Sequence, residues 1–300
     1  MDMTHNKCCR HGANLRRRRR RRRKILRSII FSCSIIAVAV FVAVGSSMIR
    51  SGDGRTNRYD VEAGNNTYDN AVIENSKISE KNKIQNNQSM LDDIMNSTQY
   101  PKQLKDLALK NEEALEFVYD YPAEHVKEHT IDLTEEASMD SVPLFVQWDK
   151  RWGYEKYSGN FFAASGCGPT TLSMVVVYLT HDREASPIAV AKYSKEAGYS
   201  VDGSGSSWTL ISEGCRHYGV KAKAVALDES RMKAELDAGH PIVVNVGPGD
   251  FTDTGHFMVI TGYDDEGFSI NDPNSIEKSG KRWLFKNISS QIRAVWSMYV

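Results

Sequence analysis

The chain has 300 residues, of which 41% are hydrophobic and 25% are charged, a composition that allows one or two domains with a sizeable core. Its formal net charge is zero, but residues 1–50 hold 13 of the 38 basic residues and only one of the 38 acidic ones. The rest of the chain therefore has 25 basic and 37 acidic residues, a net charge of −12. Such an acidic body does not indicate nucleic acid as a partner.

The first 50 residues predict a membrane anchor. Residues 1–28 form a basic tail with eight consecutive arginines, Arg16 to Arg23, and residues 29–49 carry no charge. About 20 apolar residues, each rising about 1.5 Å, span a hydrocarbon core of about 30 Å. Because basic residues stay cytoplasmic, we expect the N-terminus inside the cell and everything after Arg50 outside. A cleaved signal peptide is the alternative, with a fair cleavage match at Ala43-Val44-Gly45.

The two segments that follow differ in composition. Residues 50–88 are rich in Asn, Ser, Asp and Lys, and we expect a flexible polar stalk because they offer little apolar surface to bury. Residues 89–140 are expected to form a helical spacer that either packs on the next domain or stands apart from it. Tyr121-Pro122 is expected to end its helices. Apolar side chains recur there with helical periodicity: Leu104, Leu107, Ala108, Leu115, Phe117 and Val118.

Residues 141–300 show the pattern of a folded domain with helices first and antiparallel strands later, which predicts an α+β fold. Helices are expected over 168–180, from Ser186-Pro187 to near Gly198, from Ser206 to before Gly219, and from Asp228 to Ala238. Strands are expected over 143–146, 221–226, 242–246, 256–263, 267–271, 282–286 and 294–299.

One turn in this domain stands out chemically: Ser165-Gly166-Cys167-Gly168-Pro169 precedes an apolar run that reads as a buried helix. Proline is favoured in the first turn of a helix. The Cys167 thiol is therefore expected at a helix N-terminus, where free N–H groups and the macrodipole favour the thiolate. The alternative is a small buried cysteine in a glycine-rich turn.

A cysteine nucleophile needs a base, and the base needs an orienting group. His256 stands at the entrance of an apolar strand, so it is expected in a cleft; a surface position is the alternative. Residues 256–263 and 267–272 predict a hairpin, and if Tyr263 faces Gly267, then His256 and Asp272 are diagonal neighbours on one face, about 7–8 Å apart at the backbone. A register that differs by one residue would place Asn271 there instead.

These motifs, in this order, resemble the C39-like cysteine peptidases, papain-fold relatives of the double-glycine bacteriocin-leader peptidases. The resemblance covers about residues 140–300 and also includes the entry segment from Val142 to Trp152. It implies a papain-like fold with a helical N-terminal half and an antiparallel C-terminal sheet. It also implies Cys167 as nucleophile, His256 as general base and then acid, and Asp272 as the group that orients the imidazole.

The resemblance further implies a glutamine that helps to hold the oxyanion, a few residues before the nucleophile. No glutamine occurs in residues 161–164, which is where the family pattern would place it. Gln147, 20 residues upstream of Cys167, is the best substitute, and Asn160 is the other candidate.

The remaining residues favour no cofactor chemistry. No metal-ligand spacing is present, and we expect neither a metal nor a cofactor. Cys215 is expected to pack within a helix, although a disulfide with Cys167 would silence the nucleophile. His217 and His240 are expected at the surface.

The sequence as a whole predicts a membrane-anchored extracellular cysteine peptidase of a bacterial surface, acting on a peptide or protein through a thioester intermediate. The alternatives are a non-catalytic surface-binding module of the same fold and a wall-peptide amidase or acyltransferase.

Overall fold

The computed structural model describes the backbone of residues 63–300 and the side chains of residues 79–300. Residues 73–300 form one compact unit. The predicted basic tail and membrane span lie outside the described residues. Within residues 63–300, no helix combines the length and the apolar character needed to cross a bilayer.

A long helix, α1 (Ala63–Asn96), occupies most of the segment predicted to be a flexible stalk. That prediction is wrong for residues 63–88, because scarcity of apolar side chains rules out a packed core but not a solvated helix. The segment contains no proline to interrupt the helix. Among the side chains of this helix that the structure describes, from residue 79 onward, Ile94 in the last turn is fully buried.

The expected helical spacer packs on the domain. It comprises α2 (Lys102–Lys110), a 3₁₀ turn (Glu112–Ala114), α3 (Leu115–Tyr119), α4 (Tyr121–Glu124) and α5 (Thr134–Ser138). The six apolar residues that carry the helical periodicity are all buried, and they share one cluster with Phe161 and Ala163 of the domain. Tyr121-Pro122 begins α4 instead of ending the helices, because proline is tolerated in a first helical turn.

The helical half of the domain surrounds one buried helix. Two short hairpins, β1–β2 (Lys156–Tyr157, Asn160–Phe161) and β3–β4 (Ser200–Val201, Gly205–Ser206), and the single turn α6 (Phe162–Ser165) lie in this half. They accompany α7 (Cys167–Thr180), α8 (Pro187–Glu196), α9 (Thr209–Ser212) and a 3₁₀ helix (Gly214–Tyr218). Residues 168–177 of α7 are buried without interruption, so α7 is the core helix that the apolar run predicted.

The second half is a six-stranded antiparallel sheet in the order β5-β10-β6-β7-β8-β9. Its strands are β5 (Lys221–Ala224), β6 (Ile242–Val246), β7 (His256–Asp264), β8 (Gly267–Asn271), β9 (Arg282–Trp283) and β10 (Ile292–Tyr299). Helices α10 (Glu229–Asp237), α11 (Ile276–Ser279) and α12 (Phe285–Ile288) lie between strands. The α+β prediction is confirmed.

Three predicted elements differ from the structure. Residues 143–146 form no strand; this stretch is held instead by side-chain bonds from Asn271 to the carbonyls of Val142 and Pro143. The strand expected over 282–286 stops at Trp283, and the helix expected from Ser206 is split between α9 and the 3₁₀ helix. At residues 143–146 these distant side-chain bonds take the place of a strand ladder, and after Trp283 the chain turns into the helix that begins at Phe285.

Candidate active site

Cys167 is the first residue of α7, and its side chain is half-buried. The glycines on both sides are required by close packing. A Cβ atom on Gly166 would lie 2.6 Å from the ring of Phe162, and one on Gly168 would lie 2.5 Å from Ser206 Oγ. The turn therefore brings the start of α7 against α6 and β4, with the thiol at the helix N-terminus.

Helix α7 is fastened to the strand that carries the histidine. Thr171 Oγ1, one turn after Cys167, donates a hydrogen bond of 3.1 Å to the carbonyl of Phe257. From the neighbouring strand β6, Asn245 Nδ2 donates to the carbonyl of His256 at 3.2 Å. Both bonds are buried; the first holds β7 against α7, and the second holds the His256 backbone against β6.

The structure brings His256 and Asp272 into direct contact. His256 Nε2 lies 2.7 Å from Asp272 Oδ1, and the residues are 6% and 0% exposed. Because a carboxylate can only accept, Nε2 carries the proton. The other ring nitrogen, Nδ1, is then left for the hydrogen bond between the imidazole and Cys167.

A bulge sets the register that makes this contact possible. At the hairpin tip Asp264, and not Tyr263, faces Gly267, so the expected pairing is wrong there. A register shift between Ile260 and Gly262 then restores the expected alignment, with Val259 opposite Asn271. One extra residue in β7 thus decides which side chain after β8 reaches the histidine.

Asn271 has a separate, structural role. Its side-chain amide donates to the carbonyls of Val142 and Pro143, at 3.1 and 3.0 Å. These bonds hold the entry segment of the domain against β8. Asp272, not Asn271, is the residue that contacts the imidazole.

The electrostatics of the site favour a thiolate–imidazolium pair. Burial alone would raise the pKa of the Cys167 thiol, but the hydrogen bond and charge of His256, with the N–H groups of Phe257 and Gly168, lower this pKa overall. Burial alone would lower the pKa of His256, but Asp272 and the Cys167 thiolate raise it. The two pKa shifts act in the same direction, toward a protonated imidazole and a charged sulfur.

Gln147, the glutamine candidate that is distant in sequence, contacts the segment just before Cys167. Its buried side chain donates from Nε2 to the carbonyl of Ala163 at 2.7 Å, four residues before Cys167. Its backbone N–H donates to the carbonyl of Pro273 at 2.7 Å. Asn160 lies in β2, where its Oδ1 accepts from the N–H of Phe161 at 2.8 Å.

The other candidate residues lie apart from this cluster. Cys215 is fully buried and, like Cys167, is a free thiol, so the two are not joined in a disulfide. Burial raises the pKa of Cys215 to about 11. His217 is exposed and stacks on Tyr193. His240, also expected at the surface, is half-buried and pairs with Glu235 at 2.9 Å. Among the described side chains, no group of three or more His, Cys, Asp or Glu could hold a metal ion.

Sequence reasoning missed several groups that support Asp272. The backbone N–H of Asn274 donates to Asp272 Oδ1 at 2.8 Å, an Asx turn that Asp272-Pro273-Asn274 could have signalled. Glu113 and Asn111 contact the same loop from the helical segment before the domain. No local pattern could reveal these two, since about 160 residues separate them from the loop.

The domain is similar in sequence and fold to known proteins. Residues 139–300 match the model of the Peptidase_C39 like family. The peptidase domain of Streptococcus ComA, a bifunctional ABC transporter of a quorum-sensing pathway, is 19% identical with a TM-score of 0.38, covering 53% of this chain and 96% of that chain. A Bacillus anthracis protein described as a C39-like peptidase is 17% identical with a TM-score of 0.34, covering 53% and 95%. A search of curated proteins found no match.

Proposed function

Because the chain belongs to the Peptidase_C39 like family through residues 139–300, we propose that it is a cysteine peptidase that hydrolyses peptide bonds with Cys167, His256 and Asp272. The observation that carries this proposal is the buried contact of 2.7 Å between His256 and Asp272, next to a cysteine at the start of a buried helix. These residues supply the nucleophile, the base and the orienting group that covalent catalysis by a cysteine requires.

In the first half-reaction, the Cys167 thiolate attacks the carbonyl carbon of the scissile peptide bond and forms a tetrahedral oxyanion. When the intermediate collapses, the C–N bond breaks and the His256 imidazolium gives its proton to the leaving amine. The product is a thioester between Cys167 and the acyl part of the substrate. The raised pKa of His256 supports this acid role, because it keeps the proton available.

In the second half-reaction, the neutral imidazole takes a proton from water, and the resulting hydroxide attacks the thioester carbonyl. The C–S bond breaks, the acid product leaves, and Cys167 returns as a thiolate beside a protonated His256. Asp272 accepts from Nε2–H throughout, so it keeps Nδ1 directed at the sulfur and stabilises the positive ring.

The oxyanion needs donors that are in place before it forms. We assign the backbone N–H of Cys167 and the side-chain amide of Gln147 to this role. The bond from Gln147 Nε2 to Ala163 sets the orientation of the amide, and a primary amide nitrogen keeps a second hydrogen to donate.

We also propose that residues 29–49 anchor the enzyme in the membrane and that the catalytic domain lies outside the cell. The uncharged span behind eight arginines supports this orientation. Adding an impermeant protease to intact cells should release fragments of residues 141–300 and spare the basic tail. Protection of the domain in intact cells, with digestion after lysis, would overturn the orientation.

The activity is tested with the full-length chain incubated with a peptide library and, separately, with purified muropeptides, followed by mass spectrometry. We expect new peptide termini that are absent with Cys167→Ala. Cleavage confined to the muropeptides would indicate a wall-peptide amidase. Absence of new termini with both wild type and Cys167→Ala would favour a non-catalytic binding module, and identical new termini with both would overturn Cys167 as the nucleophile.

A further inference from the structure

The helical segment before the domain contacts residues 272–279, which carry Asp272 and include the short helix α11. These residues are called the 272–279 loop below. Glu113 lies in the 3₁₀ turn after α2, outside the residues matched by the family model. Its carboxylate accepts from the N–H groups of Ile276 and Glu277 at 2.7 and 3.0 Å and from the Ser275 hydroxyl. One carboxylate therefore holds three consecutive residues of the loop.

A second residue of the same segment binds the loop closer to Asp272. Asn111 Nδ2 donates to the carbonyl of Asn274 at 2.9 Å and to its side-chain oxygen at 3.1 Å. Asn111 is itself held, because its Oδ1 accepts from the N–H of Glu113 at 3.0 Å. Trp148 Nε1 adds a third bond, to the Asn274 carbonyl at 3.3 Å.

Residues 274–277, which these contacts hold, in turn determine where the Asp272 carboxylate lies. The N–H of Asn274 donates to Asp272 Oδ1, the oxygen that also accepts from His256. The N–H of Asp272 donates to Ser279 Oγ at 2.9 Å, and Ser279 Oγ donates to the carbonyl of Ser275 at 2.7 Å. A shift of residues 274–277 would therefore pull on both the backbone and the carboxylate of Asp272.

We propose that Glu113 and Asn111 are positioning residues for the catalytic pair, acting through the 272–279 loop. This inference rests on the proposed peptidase function and extends its machinery beyond the family domain. Neither residue touches the reacting atoms. Their effect is to keep Asp272 Oδ1 within hydrogen-bond reach of His256, which stabilises the imidazolium and, through it, the Cys167 thiolate.

The test is the alkylation of Cys167 by iodoacetamide as a function of pH, measured by mass spectrometry on the full-length chain. Loosening the loop destabilises the imidazolium, so the Cys167 thiol loses its proton less readily and less thiolate is present at mildly acidic pH. In Glu113→Gln and in Asn111→Ala we expect the rate at about pH 6 to fall by about threefold or more and to recover at high pH. On a cleaved peptide, kcat/KM should fall about 10- to 100-fold.

Glu116→Gln is the matched control, since it removes the same charge from an exposed position on the adjacent helix α3. Thermal unfolding identifies variants that fail to fold, and the charge-neutral Asn111→Ala separates positioning from the lost charge of Glu113. A wild-type alkylation profile in both folded variants overturns the inference. This readout needs no substrate, so it is independent of the proposed function, which fails separately if Cys167→Ala retains turnover.

Discussion

His256 donates its Nε2 proton to Asp272 Oδ1 across 2.7 Å, and both side chains are shielded from solvent. A buried charged pair of this kind is strongly coupled, because removing one partner leaves the other uncompensated in a medium of low dielectric constant. The contact thus links protein stability, the charge of the imidazole and the reactivity of the neighbouring thiol.

Asp272→Asn should therefore change the pH dependence of the enzyme. Asp272 raises the pKa of His256, so losing its charge lowers that pKa, and the proton for the leaving amine is lost at lower pH. We expect the alkaline limb of kcat/KM to move to lower pH and the maximal rate to fall on the order of 10²-fold or more. A pH–rate profile on any cleaved peptide measures both effects.

Asn271→Ala is the control for that variant. It removes two hydrogen bonds to the entry segment and should cost about 1–3 kcal/mol of unfolding free energy. Its pH–rate profile should keep the wild-type limbs. A shifted limb in Asn271→Ala with an unshifted limb in Asp272→Asn would reverse the two assignments.

The two described cysteines should differ sharply in reactivity. The pKa of Cys167 is lowered, whereas burial raises that of Cys215 to about 11. At about pH 7, iodoacetamide should label Cys167 at least about 10²-fold faster than Cys215. Peptide mapping of the folded chain measures both labelling rates. Denaturation should make the two rates similar. Equal, slow labelling of both cysteines in the folded chain would contradict the enzyme proposal.

Gln147→Ala should separate oxyanion binding from thiol activation. We expect kcat to fall about 10²- to 10³-fold, as for the loss of one oxyanion donor. The iodoacetamide rate of Cys167 should change little, because alkylation forms no oxyanion. Asn160→Ala serves as the control and should retain kcat; the opposite pattern would transfer the oxyanion role to Asn160.

Gly168→Ala should destabilise the active-site turn. The added Cβ would lie 2.5 Å from Ser206 Oγ, which is hydrogen-bonded to the Tyr157 hydroxyl at 2.6 Å. We expect a loss of about 1–3 kcal/mol of unfolding free energy from overpacking. Gly262→Ala is the matched control, since nothing lies within 4 Å of its added Cβ, and denaturant titration should show the difference between the two variants.

Periodic patterns predicted those parts of the fold that local sequence controls. The apolar run after Cys167 forms the core helix α7, and residues 242–246 and 267–271 form strands with the expected bounds. The apolar positions of the segment before the domain are buried as their spacing predicts. In these elements hydrophobic periodicity and backbone hydrogen bonding agree, so short stretches of sequence carry enough information.

Local composition gave wrong predictions of secondary structure where tertiary contacts or solvation determine the conformation. Residues 63–88 form part of a helix although they offer little apolar surface. The stretch 143–146 looks like a strand but is held by the Asn271 side chain instead of a neighbouring strand. A hydrogen bond that a distant side chain supplies leaves no trace in the pattern of the segment that receives it.

By itself, the sequence determined that a cysteine stands at the start of a buried helix and that a histidine and an aspartate follow at strand ends in the order of the C39-like peptidases. Tertiary structure alone decided that Asp272 and not Asn271 reaches His256, because a one-residue bulge in β7 sets that register. It also carried Gln147 to Ala163 and Glu113 to the 272–279 loop. Such contacts join segments far apart in the chain, so they depend on how the elements pack and not on any local preference.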